Sequence, residues 1–136
     1  MKKIIINDEY VALLIKNIQT AERIHFYTEA EDQLQIAAFS MKQGQKIQPH
    51  LHLDQVREIE GTHEILYVQS GELLVNFYSD NNKEQIYTTE KLQSGDLIYL
   101  RSGIHGFEIS KDCKFLEFKQ GPFIDGKDKI KLYGIK

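Results

Sequence analysis

Residues 64–79 read EILYVQSGELLVNFYS. EILYVQ (64–69) and ELLVNFYS (72–79) are short apolar runs with polar residues at their ends, and Glu64, Leu66 and Val68 share one parity. A repeat of two is that of a strand with one buried face. Ser70-Gly71 between the runs predicts a turn. The same signature recurs on both sides. RIHFYTE (23–29), QLQIAAFS (33–40), KIQPHLHL (46–53), EQIYTTEKL (84–92), DLIYL (96–100), GFEI (106–109) and CKFLEFK (113–119) all read as strands. Turn residues separate them at 29–32, 43–45, 79–82, 94–95 and 102–103. Many short, evenly spaced strands predict an all-β sandwich or barrel. DEYVALLIKNI (8–18) has acids in front and Lys16 behind, as a helix would, yet VALLI suits a strand; the strand is the expectation.

The chain has 136 residues, the size of one domain, and is read as a single domain over 1–136. Its 41% hydrophobic and 27% charged residues are those of an ordinary globular protein. With net charge -3 it has no general attraction for nucleic acid or an acidic membrane, and no recognition-helix pattern is present. No run approaches the ~20 apolar residues of a membrane helix. The start, MKKIIINDEY, is too short in apolar residues for a signal peptide. The lone Cys113 excludes an intrachain disulfide and fits a reducing compartment, so a cytoplasmic location is expected. Cys113 itself, in CKFLEF, is expected as a buried strand residue. KKIII and VALLI are expected as exposed strand edges through which two copies pair as a homodimer.

Three of the five histidines carry a pattern. His50 and His52 are two apart in a strand-like segment, so both imidazoles project from one face. Two imidazoles side by side begin a divalent metal site. Glu64 shares parity with Leu66 and Val68, which places a carboxylate on an apolar face where only an opposite charge makes it tolerable. His105 shares parity with Phe107 and Ile109, with Gly106, Glu108 and Ser110 on the other side. The four expected metal ligands are His50, His52, Glu64 and His105. A divalent transition metal is expected there: Zn, Fe, Ni or Mn.

At these residues the chain resembles the cupin superfamily. The first cupin motif is a Gly, five residues, HxH, a gap, Glu, six residues and Gly. Here Gly44 is followed by QKIQP and His50-Leu51-His52, and Glu64 by ILYVQS and Gly71. The gap, LDQVREIEGTH, is longer than usual for the family and predicts an extended loop at the barrel mouth. The second motif is a Gly, five residues, PxG, two residues and His. Gly95 is followed by DLIYL and then Arg101-Ser102-Gly103-Ile104-His105, with Arg101 for the usual Pro and one residue fewer before the histidine. The resemblance covers about residues 33–120 and implies a double-stranded β-helix, or jelly-roll barrel, with a C-terminal arm at 121–136. That arm is expected across the outside of the barrel or on a neighbouring subunit.

Other candidates flank the cluster. Glu58 or Glu60 replaces Glu64 as ligand if the loop folds inward, and otherwise lies on a solvated loop. Arg57 and Arg101 are candidate holders of an anionic substrate group. Glu117 and Lys119 share parity with Phe115 and Cys113; they line the pocket if that face is inward, and are exposed if Leu116 and Phe118 point in. Glu117 and Tyr67 are the acid/base candidates, and Tyr99 is a possible pocket donor. His63 is expected on the surface or between sheets, and His25 as a structural residue. The resemblance implies a metal-binding protein acting on a small polar molecule, plausibly a carbohydrate derivative, as isomerase or oxygenase. A non-catalytic ligand binder and a metal-independent sugar-nucleotide isomerase or epimerase using His and Tyr are the other readings.

Overall fold

The computed structural model describes residues 1–132. The last four residues of the predicted C-terminal arm lie outside the described residues. The described chain is all strand and no helix. In order the strands are β1 (Lys2–Ile6), β2 (Glu9–Ile15), β3 (Ile24–Phe26), β4 (Ala37–Phe39), β5 (Glu64–Ser79), β6 (Asn82–Gln93), β7 (Leu97–Leu100) and β8 (Ile104–Lys119). Two compact units are formed, one from Met1–Ile18 with Gly61 onward, the other from Gln19–Glu60. No described helix is long and apolar enough to cross a membrane.

The first unit is a curled antiparallel sheet in the order β1-β2-β7-β5-β6, with β8 along β5. Its core cluster is built from β2, β5 and β7. Leu66, Val68, Leu73, Val75 and Phe77 of β5 pack with Val11, Ala12 and Leu14 of β2 and with Ile98 and Leu100 of β7. Cys113 and Phe115 of β8 lean on this cluster from its margin. Burial raises the Cys113 thiol above its usual range, in line with a packed rather than a reactive cysteine. VALLI was expected at an exposed edge. Instead β2 lies between β1 and β7, and Val11–Ile15 are all buried. Only β1 keeps the expected edge position.

The predicted turn at Ser70-Gly71 is absent: β5 runs unbroken from Glu64 to Ser79 and pairs with β8 over nearly its whole length. The register against β8 shifts at Val68/Ser70, Ser70/Glu72 and Glu72/Leu73. Bulges of this kind bend a strand and change which parity faces inward. Before the bend the even residues Leu66 and Val68 are in the core; after it the odd residues Leu73, Val75 and Phe77 are. Gly71 is required at the bend. Its φ is +82°, and a Cβ there would stand 1.8 Å from the carbonyl oxygen of Asp112. GFEI and CKFLEFK likewise form one strand, β8.

Polar side chains secure the ends. Asp96, in the turn before β7, accepts from the Gln93 and Asn17 amides and from the Lys16 ammonium, each at 2.8 Å. Burial opposes its charge, but these donors win and its pKa is lowered. Glu72, buried beside the bend, accepts from Ser110 at 2.7 Å and from Gln93 at 3.2 Å, with Lys91 and Lys111 nearby. Those hydrogen bonds and charges pull its pKa down to about 2.

The second unit holds the hairpin of β3 and β4, with His25 opposite Ala38. His25 stacks edge-on against Tyr27 at 4.5 Å. The segment KIQPHLHL was expected as a strand and is not one. Pro49 has no N–H to give a ladder, and no strand pairs with the segment.

Candidate functional site

Glu64 opens β5 and His105 is the second residue of β8. They sit at opposite ends of the paired β5–β8 ribbon, since His105 is in register with Phe77 and Glu64 with Lys119. The bend at Gly71 curls the ribbon until its ends meet: His105 Nε2 lies 3.4 Å from Glu64 Oε2. Both are largely shielded, with side-chain exposures of 25% and 17%. His105 Nδ1 is 3.2 Å from the carbonyl oxygen of Gly103. That oxygen only accepts, so Nδ1 donates and carries a proton. In the neutral ring Nε2 then presents a lone pair to a carboxylate. Two acceptors hold this position when a proton or a metal cation sits between them. The His105 hydrogen bond is the largest influence on Glu64 and holds its carboxyl below the usual range; Lys119 and Lys129 add to this and burial opposes it.

A cleft of about 540 Å³ opens over this pair. Glu64, Tyr78, Ile104, His105, Phe107 and Glu117 form its sheet side, and residues 128–132 of the C-terminal arm its other wall. The two parities of β8 left open by the sequence are thereby resolved. Phe115, Glu117 and Lys119 are in register with Val68, Leu66 and Glu64 and share their face, whereas Leu116 and Phe118 are exposed on the other. Lys119 makes an ion pair with Asp128 at 2.7 Å and approaches Glu117 at 3.7 Å. The arm thus lies along the cleft rather than across the outside of the barrel, because Lys119 on the inner face draws Asp128 to it.

The remaining candidates fall elsewhere. Tyr67 is one position off the parity of Glu64 and Leu66 and points to the opposite face, in register with Leu97 and Leu116. Arg101 lies over the Tyr10 ring at 4.0 Å and donates to the Tyr10 carbonyl oxygen at 3.2 Å; it is not among the cleft walls. His63 is not a surface residue: only 6% exposed, its Nδ1 is 2.6 Å from the hydroxyl of the fully buried Tyr99. Tyr99 is therefore a core residue and not a pocket donor. Sequence reasoning missed Tyr78, Asp128, Lys129 and Lys131 in the cleft. The spacing of Lys129 and Lys131, two apart in an extended arm, was the available signal.

His50, His52, Arg57, Glu58 and Glu60 belong to the second unit and are exposed there. The His50 and His52 rings lie 5.2 Å apart at 74°. His50 Nδ1 is 2.9 Å from the carbonyl oxygen of Gln48, so its Nε2 is also the free nitrogen. Arg57 reaches only Gln55, at 3.4 Å. Within neither unit do three described His, Cys, Asp or Glu side chains gather as a metal-holding group. The donor chemistry nevertheless suits a metal. Two ligand atoms, each ~2.0–2.1 Å from a tetrahedral ion, stand about 3.4 Å apart, the separation found between Glu64 and His105. A backbone carbonyl on Nδ1 is also the usual outer-sphere support of a metal-bound histidine.

A curled antiparallel sheet with a side-chain-lined cleft on its inner face defines a β-barrel protein. The family model described as Cupin matches residues 17–119. The chain belongs to the cupin family. A search of the curated proteins and a search of the solved structures each found no match to it.

Proposed function

We propose that this cupin binds a divalent transition metal through His50, His52, Glu64 and His105 and acts on a small polar molecule, a carbohydrate derivative, in the cleft. The observation that carries the reading is the approach of His105 Nε2 to Glu64 Oε2 at 3.4 Å, with Nδ1 already committed to Gly103. A bound metal supplies a Lewis acid that polarises a substrate carbonyl or hydroxyl. The chain's own groups do the rest. Gly103 fixes the His105 ring, Phe107 and Ile104 offer an apolar wall to a sugar face, and Glu117 stands as a proton acceptor or donor at the cleft wall. The working form is proposed as a cytoplasmic homodimer joined at the β1 edge, since β1 ends the strand order.

A second reading is favoured by one observation: Tyr78 shares the cleft with His105. A proton rather than a metal then bridges His105 and Glu64, and His and Tyr serve as acid and base without a metal. Metal analysis of untagged protein separates the two. About one equivalent per chain is expected for the wild type, with a loss of ~10–100-fold in metal affinity for His50→Ala/His52→Ala and for Glu64→Gln. Equal metal content in wild type and variants overturns the metal reading. Metal-free wild type that turns over substrate, and loses turnover in Tyr78→Phe, establishes the second.

A further inference from the structure

The arm's contribution to the cleft has its own chemistry. Asp128 is held by Lys119 at 2.7 Å, and Lys119 also faces Glu117 at 3.7 Å. Glu64 is taken up by His105. The carboxylates of the cleft are thus each engaged. Lys129 and Lys131, on the same wall, form no ion pair with any described carboxylate. Two ammonium groups, two residues apart on an extended segment, face a cleft whose opposite side is Tyr78 and Phe107.

We propose that the C-terminal arm is an anion-binding wall, in which Lys129 and Lys131 take the phosphate or carboxylate group of the small polar ligand. The Lys119–Asp128 ion pair is the latch that holds this wall in place. The assignment differs from the sequence expectation, which gave the anion to Arg57 and Arg101. Arg101 is committed to Tyr10, and Arg57 lies in the other unit. The ligand class that fits is a polar molecule with an anionic group at one end, set on the lysines, and a hydroxyl- or carbonyl-bearing part toward Glu64 and His105. A lysine ammonium suits either anion as a point charge.

This inference rests on the reading of the cleft as a small-molecule site, and its test is chosen to stand apart from the metal. The full chain, stripped of metal with a chelator, is titrated by calorimetry with inorganic phosphate, with glucuronate and with glucose. Phosphate or glucuronate binds the wild type and glucose does not; whichever anion binds more tightly identifies the group. Lys129→Gln/Lys131→Gln weakens that binding by about tenfold or more, as loss of charge-assisted hydrogen bonds requires. Both lysines are exposed, so the folded state is retained. Asp128→Asn keeps both lysines but releases the latch, and weakens the same anion by several-fold. Because the titration is made on metal-free protein, its outcome is independent of whether His50, His52, Glu64 and His105 hold a metal, which keeps the two readings distinguishable. Equal anion affinity in wild type and the double lysine variant overturns the proposal. So does a wild type that takes up neither anion at about 10 mM.

Discussion

The β5–β8 ribbon and the segment around His50 both read as strands and end differently. EILYVQSGELLVNFYS is paired with β6, β7 and β8, and its inner face is the centre of the core. KIQPHLHL pairs with no described strand, and its apolar Leu51 and Leu53 stay 86% and 75% exposed. The comparison teaches that a two-residue repeat states which face would be buried if a partner came. It does not supply the partner. A strand's stability lies in its cross-strand contacts and in the apolar area they cover.

Substitutions break this comparison most sharply at glycine. Gly71 and Gly44 share the same left-handed backbone, with φ of +82° and +84°. A methyl group at 71 collides with the Asp112 backbone, and at 44 it meets nothing within 4 Å. Gly71→Ala is expected to cost about 4 kcal/mol or more, or to leave no folded protein, because two paired strands must part. Gly44→Ala is expected to cost roughly 1–2 kcal/mol, the penalty of the left-handed backbone alone. Urea denaturation of the two variants measures both. A difference under about 1 kcal/mol would mean that the close approach at the bend does not govern stability.

The next largest effect is in the core. Leu66→Ala deletes a fully buried side chain and is expected to cost about 3 kcal/mol, whereas Leu51→Ser is expected to stay within about 0.5 kcal/mol. Comparable losses at both positions, read from urea midpoints, would show Leu51 to be buried in solution.

Acid sharpens the comparison through Glu72. Its folded pKa, about 2, lies below the ordinary value of 4.5. A lowered carboxylate contributes stability that is fully present above its unfolded pKa and is lost as pH falls through the folded one. The urea midpoint is therefore expected to fall between pH about 4.5 and about 2. Glu72→Gln is expected to flatten that fall, with the lowered carboxyls of Glu64 and Asp96 contributing what remains. An unchanged acid slope in the variant would remove Glu72 from the account. The smallest expected effect is at the β1 edge. The Lys2–Glu90 ion pair is exposed on its lysine side, so Lys2→Met is expected to shift stability by about 0.5 kcal/mol or less, read from the same denaturation curves.

Much of the fold was legible before the structure. Strand-like runs identified most strands of the sheet, and parity put Leu66 and Val68 on one face, whereas the face of Phe115 was left open until its register with Val68 was seen. The continuity of β5 and β8 was not legible. Ser-Gly is ordinary turn chemistry, and only the approach of Asp112, far along the chain, turns that dipeptide into a bend. Of the site, parity placed Glu64 and His105 on the inner face, but their meeting depends on the bend, which was not legible. Nor was the cleft's arm wall, because Asp128 is brought there by Lys119 through an ion pair that carries no periodic signal. For His63, left between the surface and an intersheet position, the surface alternative failed for a related reason. Its ring is covered and paired with Tyr99, a long-range contact that nearest neighbours in sequence do not reveal.

The elbow at Gly71 makes one chain segment both hinge pin and jaws. Glu64 and Tyr78 stand seven residues to either side of it, and a straight strand would hold them roughly 45 Å apart. They border one cleft instead. The width of the opening is thus set by a crease at its far side, and altering the crease by a single carbon would reach both tips of the cleft together.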